Sequence, residues 1–154
     1  MTMRYIVDGS NLLGGRGEFG AAGAGLRLLG IVERFCRLSR STAVVSFDVM
    51  EGRAPGSEFR FGERVSARIA PAGCDSDRAD RDIILQVRRQ PGVIVVTDDA
   101  ALTASVRALG AGVMATRTFS RRLESPRVGA SDKEAAASGI DNAEFLRLWT
   151  GETP

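Results

Sequence analysis

Apolar residues in this chain gather in five short runs, each followed by turn residues or by a stretch with helical spacing. The first run, Tyr5-Ile6-Val7, ends in Asp8-Gly9-Ser10-Asn11, a string of turn-forming residues. A Gly-rich stretch over 14–25 leads into Leu26–Leu38, where Leu28, Leu29, Val32, Phe35 and Cys36 recur as one face of a helix. The second run is Thr42–Phe47, closed by Asp48. Residues 49–63 lack apolar periodicity and carry Gly52, Pro55, Gly56 and Gly62, so they read as a loop. The third run, Val65–Ile69, alternates polar and apolar positions as an edge strand with one wet face does. Asp75-Ser76-Asp77 then opens a helix over about 77–90 with Ile83, Ile84 and Val87 inward, and Pro91-Gly92 stops it. The fourth run, Val93–Val96, is continuously apolar and ends in Thr97-Asp98-Asp99. A helix over 99–109 packs through Leu102, Val106 and Leu109, and the last strand covers about Gly112–Ala115. Residues 117–124 read as a short basic helix, 125–139 as a linker rich in Ala, Ser and Gly, and about 141–149 as a final helix.

Strands alternating with helices predict an α/β fold with a mostly parallel five-stranded sheet covered on both faces. The pattern shows no repeat and no second domain. Residues 1–124 make one domain, and the C-terminal helix, with Phe145, Leu146 and Trp149, either packs on that domain or forms a homodimer contact. No apolar run is long enough to span a bilayer, and Asp8 interrupts the N-terminus too early for a secretory signal. The expected setting is the cytoplasm, with no membrane partner.

Composition narrows the chemistry chiefly by what it omits. There is no histidine, which excludes imidazole metal sites and Ser-His or Cys-His nucleophile systems. Cys36 and Cys74 fit no metal-ligand spacing and read as buried free thiols. Lys133 is the single lysine beside 20 arginines, and the net charge of only +2 names no partner by itself.

The acids are more informative, because three predicted strands end in aspartate: Asp8, Asp48 and the Asp98-Asp99 pair. In an open parallel sheet the C-terminal strand ends share one edge, where ligands bind. Asp80 lies one turn before Ile83 and Ile84, on the sheet-facing side of its helix, and Asp77 lies a turn earlier. Two carboxylates about 4 Å apart repel by roughly 4 kcal/mol at an effective dielectric near 20, so such a cluster must protonate or bind a cation. With oxygen donors alone, the cation expected is Mg²⁺ or Mn²⁺. Each acid also has a local alternative: the first group as a turn, Asp77, Asp80 and Asp82 as dipole-complementing residues, and Asp98 or Asp99 as a helix cap.

Ile6-Val7-Asp8-Gly9-Ser10-Asn11, Val45-Ser46-Phe47-Asp48, Ala79-Asp80 and Val96-Thr97-Asp98-Asp99, in this order, resemble the NYN domain of the PIN-like ribonucleases, especially its YacP-like subgroup. The resemblance spans residues 4 to about 124 and implies a PIN-like three-layer fold with an acidic metal site at the sheet's C-terminal edge. It implies catalytic roles for Asp8, Asp48, Asp80 and Asp99, metal ligation by Asp8, Asp80, Asp99 and Asp98, and for Asn11 either contact with substrate or the orienting of a ligand; Ser10 beside it is a further candidate for substrate contact. The implied activity is metal-dependent endonucleolytic hydrolysis of RNA, in YacP-like proteins of messenger RNA at the ribosome. Two positions depart from the pattern: Arg81 stands where a Glu follows the helix aspartate, and Ser10 replaces an aromatic. Asp82 faces roughly 200° away from Asp80 around the helix and is a poor substitute.

A single-stranded RNA partner needs basic contacts. Candidates are Arg53, Arg60 and Arg64 around the second loop, and Arg117, Arg121, Arg122 and Arg127 after the last strand. Phe59 and Phe61 either tuck against the core, the commoner arrangement, or stack on bases. Gly15–Gly20 spells the dinucleotide fingerprint but does not abut the first strand, so a gate beside the acidic rim is the better reading. The competing class is a degenerate PIN-like module that binds RNA or protein, its acids serving as caps; a toxin-like PIN protein is a further alternative.

Overall fold

In a computed structural model, residues 2–15, 17, 23–72, 78–90 and 92–124 are described. The predicted linker and C-terminal helix, with the possible homodimer contact, lie outside these residues, as do Asp77, Cys74, Arg127 and most of the Gly15–Gly20 segment.

The order of elements is β1 (Arg4–Asp8), α1 (Gly9–Gly15), α2 (Ala24–Ser39), β2 (Thr42–Phe47), β3 (Glu58–Phe61), β4 (Val65–Ile69), α3 (Arg78–Arg89), β5 (Ile94–Val96), α4 (Ala100–Ala108), β6 (Gly112–Met114) and α5 (Thr116–Glu124). They form one α/β sheet in the order β3-β4-β2-β1-β5-β6, parallel except for β3.

The sheet therefore has six strands where the sequence pattern predicts five. The extra strand, β3, lies inside the segment read as a loop and pairs antiparallel with β4, displacing β4 from the edge. Glu33 makes this hairpin possible. Its buried carboxylate accepts the backbone N–H groups of Glu63 and Arg64 at 3.0 and 3.1 Å, satisfying two turn donors at once. Gly62 sits in the left-handed region at φ 71°, with its Cα turned so that any Cβ would collide with Glu33.

The second departure is α1. Asp8-Gly9-Ser10-Asn11 is not a free turn: the chain passes from β1 straight into a helix. Gly9 permits this, because a Cβ there would meet the Phe47 ring at 2.8 Å and Val45 at 2.9 Å.

Alternation of side chains sends the two faces of β1 into separate cores. Tyr5 and Val7 pack with α1, α2 and α5; Ile6 packs with α3 and α4. On the first face Tyr5, Phe35 and Phe119 meet edge-on or tilted, with ring centroids 5.5–5.8 Å apart, pinning α2 and α5 to β1. Cys36 is a free thiol buried in the same core. Among the described residues no helix is long and apolar enough to cross a membrane.

Candidate active site

The direction of the connections decides where a site can lie. From β1 the chain crosses one face through α1 and α2 to reach β2, while from β5 it crosses the other face through α4 to reach β6. The C-terminal ends of the adjacent strands β1 and β5 therefore diverge, opening the crevice in which sheets of this kind bind ligands. Asp8 ends β1 at this crevice, and Thr97-Asp98-Asp99 follows β5 on its other side.

Hydrogen bonds close the two sides together. Thr97 Oγ1 lies 3.1 Å from Asp8 Oδ2 and accepts the Asp99 N–H at 3.1 Å, so its own proton is aimed at Asp8. Asn11 donates its N–H to Asp8 Oδ1 at 3.3 Å and accepts the Asp98 N–H on its side-chain oxygen at 2.9 Å. Ser10 Oγ accepts the Asp48 N–H at 3.1 Å, joining α1 to the end of β2.

Asp8 is only 4% exposed. Burial pushes its pKa up to about 6 from an ordinary 3.8; the Asn11 N–H and Thr97 hydroxyl pull it back, and the charges of Asp48 and Asp99 push it up. Two strand-end acids from distant parts of the chain thus act on this one buried carboxylate.

Each surrounding acid also starts a helix. Asp48 accepts the Ala79 N–H of α3 at 3.1 Å, and Asp99 caps α4 by accepting from Leu102 N at 2.7 Å. Asp98 accepts both the backbone N–H of Thr116, at 2.9 Å, and its hydroxyl, at the start of α5. Asp80 is half-buried on the first turn of α3, next to the residue that Asp48 holds. Asp82 points away, as its position on the helix predicts: it takes a two-pronged contact from Arg68 Nε and Nη2, both at 2.9 Å. Among the described residues no three Cys, Asp or Glu side chains form a ready metal-holding group.

No family model and no curated relative matches the sequence. Solved structures do match the fold, two among them at 16% identity. Both are Rae1 (YacP) from Bacillus subtilis, one carrying a tryptophan-to-leucine substitution. The unsubstituted protein aligns at TM-score 0.66 and 16% identity, over 99% of this chain and 89% of that one. The substituted one aligns at 0.61 and 16%, over 96% and 92%. The chain has the fold of YacP. The α/β fold expected from the resemblance of the four acidic segments is thus matched in three dimensions.

Within this YacP-type fold the expected basic contacts fall in different places. Arg121 is exposed and Arg122 half-buried on α5, whose first residue Asp98 ties to the rim. Arg53 lies over the Phe59 ring, 3.8 Å from its centroid. Phe59 and Phe61 pack against the core from β3, so neither is a loop aromatic held out for bases. Thr97 is the rim residue that sequence reasoning passed over. Its signal was modest: a hydroxyl between an apolar strand and two acids, where the chain turns off the sheet.

Proposed function

We propose that this protein is a metal-dependent endoribonuclease that hydrolyses single-stranded RNA at the β1/β5 crevice. The observation that carries the reading is Asp8, a buried carboxylate at the switch point of a YacP fold, held near pKa 6 in the field of Asp48 and Asp99. By the YacP-like resemblance, the substrate is messenger RNA met on the ribosome, in the cytoplasm.

The donor set fits a hard divalent cation. Asp8, Asp48 and Asp99 offer only oxygens, and a cation would relieve the repulsion that raises Asp8. Mg²⁺ is commonly held by one or two carboxylates with waters and substrate phosphates completing its shell, so a three-acid cage is not required. Asp8 and Asp99 would hold it, with Asp48, Asp80 and Asp98 as nearby acids. When bound, Mg²⁺ or Mn²⁺ supplies an activated water and neutralises charge on the phosphodiester.

The chain's own groups fix the geometry. Thr97 and Asn11 orient the two oxygens of Asp8, and the caps hold Asp48 and Asp99 at the helix starts. Asn11 has its side-chain oxygen engaged, so what it offers a phosphate is its amide N–H pair; Ser10, already an acceptor, offers its hydroxyl proton. Arg53, Arg121 and Arg122 would add phosphate contacts beside the rim.

The capping bonds themselves favour a second reading, a non-catalytic module that binds RNA or protein and keeps its acids for helix starts. Cleavage of a labelled single-stranded RNA in Mn²⁺ separates the two. Wild type should cut, while Asp8→Asn and Asp99→Asn, which keep the shape of the side chain and remove its charge, should not. A folded wild type that neither cuts nor gains thermal stability from Mn²⁺ would establish the module instead.

A further inference from the structure

The sheet carries a second concave feature, away from the acids. A cavity of about 460 Å³ lies on the α3 side of the sheet, toward the N-terminal ends of β1 and β2, with the C-terminal end of α3 as one wall. Its floor is a row across the sheet: Ile6 pairs with Val44, Val44 with Ser66, and Ser66 with Arg60, so all four side chains share a face. Among the described residues five arginines line it (Arg4, Arg60, Arg64, Arg68 and Arg89), against one acid, Glu58.

Arg68 is fixed at one end of this groove by Asp82 and Glu58, each contact 2.9 Å. Setting that group aside leaves Arg4, Arg60, Arg64 and Arg89 around a floor that includes the hydroxyls of Thr42 and Ser66; Arg60 Nη2 also donates to the Glu63 carbonyl and Arg64 Nη1 to that of Ser41, and each guanidinium has further N–H donors. Arg4, Arg60 and Arg89 are exposed. Among the described residues none of the exposed large apolar side chains, Met3, Leu26, Val49 and Leu85, lines the groove. A protein partner would want an aromatic or aliphatic anchor at the centre of its interface. Planar cationic forks around a floor that mixes hydroxyls with Ile6 and Val44 suit a phosphodiester chain instead.

The groove also stands in register with the rim. Asp8 pairs with Ser46 and Ser46 with Arg68, so the inner end of the groove lies level with Asp8 across two strand spacings, roughly 10 Å. Arg4 lies four residues before Asp8 on the same strand and face, roughly 13 Å away.

We infer that this arginine groove is a binding site for the backbone of single-stranded RNA, holding a stretch of substrate a few nucleotides from the bond at the rim. The inference rests on the reading of RNA as substrate, and it assigns to Arg4, Arg60, Arg64 and Arg89 an affinity role separate from the chemistry.

The test is fluorescence anisotropy with a labelled 20-nucleotide single-stranded RNA in EDTA across a salt series, beside Mn²⁺-dependent cleavage of a short and a long RNA. The variants are Arg60→Ala with Arg89→Ala, Arg4→Ala, and Asp8→Asn. The double variant should bind about tenfold more weakly and lose about 1.4 from the slope of log affinity against log salt, at roughly 0.7 per phosphate contact. Arg4→Ala should lose about half that slope. The short RNA should be cut at the wild-type rate by both arginine variants, and Asp8→Asn should bind as wild type does while cutting neither RNA. Groove-dependent binding without any cleavage would overturn the nuclease reading and leave the groove standing. Unchanged affinity and slope in the double variant would overturn the groove. So would competition by polyglutamate as effective as competition by RNA, which would name an acidic protein as occupant.

Discussion

The two ends of this sheet solve the problem of gathered charge in opposite ways. At the C-terminal end the acids are held by hydrogen bonds: Asp8 is buried, and Asp48, Asp98 and Asp99 each take a helix N–H. At the other end the arginines are spread around an open groove; of those described there, Arg68 pairs with carboxylates, while Arg60 and Arg64 donate to backbone carbonyls. Guanidinium groups remain charged and hydrated at modest cost, whereas a buried carboxylate either holds a proton or needs a cation. The rim is therefore the part of the molecule that should respond to metal and pH, and the groove the part that should respond to salt.

The largest expected effect breaks that contrast at its centre. Asp8→Asn should reduce cleavage by at least about 100-fold, since even the outer partners of metal ligands are worth 10–100-fold. The same change should stabilise the fold. Asp8 has a folded-state pKa raised from 3.8 to about 6, so its contribution is fully present below about pH 4 and is lost as pH rises through 6. A shift of about two units corresponds to roughly 3 kcal/mol. Asp8→Asn should then melt about 5–10 °C higher than wild type at pH 7.5, with the gap closing toward pH 4. Thermal melts across that range check it, and a constant difference would show that Asp8 is not buried as an acid.

Glu33→Ala tests the groove side. It leaves the Glu63 and Arg64 N–H groups without their acceptor, at a cost of about 2 kcal/mol or more, and frees the edge strand that carries Arg60. Denaturant unfolding should show the loss. RNA affinity in EDTA should fall, while the pH dependence traced to Asp8 stays as in wild type; a changed pH dependence would mean that the two ends are coupled.

What could be read in advance follows a physical division. Parallel strands buried on both faces announce themselves as apolar runs, and three of them ending in aspartate placed the rim correctly at one edge. The missing strand was harder because β3 lies at the edge, where Glu58-Phe59-Arg60-Phe61 buries only half of itself; its alternation was present but hidden among Gly and Pro. Glu33 was equally silent, since an acid within the apolar stripe of α2 gives no hint that two distant N–H groups await it. Asp99 shows the limit most clearly. Cap and site acid were set out as alternatives, yet the residue caps α4 and also pushes on Asp8.

Thr97→Val is the next smaller test and acts on the rim without removing an acid. It deletes the hydroxyl that donates to Asp8 and orphans the Asp99 N–H, for about 1–3 kcal/mol. Because that hydroxyl holds the Asp8 pKa down, its loss should move Asp8 further above 6 and shift the acid limb of the cleavage profile to higher pH. A lower rate with an unmoved limb would mean that Thr97 serves only the backbone.

The smallest effect on stability belongs to Asp99→Asn, and it cuts deepest between the two readings of the rim. Asn caps a helix about as well as Asp, so the bond to Leu102 N should persist and stability should change by less than about 0.5 kcal/mol from the cap. The charge is gone, however, and with it one of the two acids that raise Asp8, so the Asp8 midpoint should fall. A nuclease must lose both its Mn²⁺-induced thermal shift and its cleavage in this variant, although the fold is intact. A binding module should be indifferent, because all that it requires of this position is an oxygen pointing at a helix start. The comparison with Asp8→Asn then tells how the rim is divided: equal losses would make the two aspartates partners in one cation site, and a loss confined to Asp8→Asn would leave Asp99 as a cap whose charge merely tunes its neighbour.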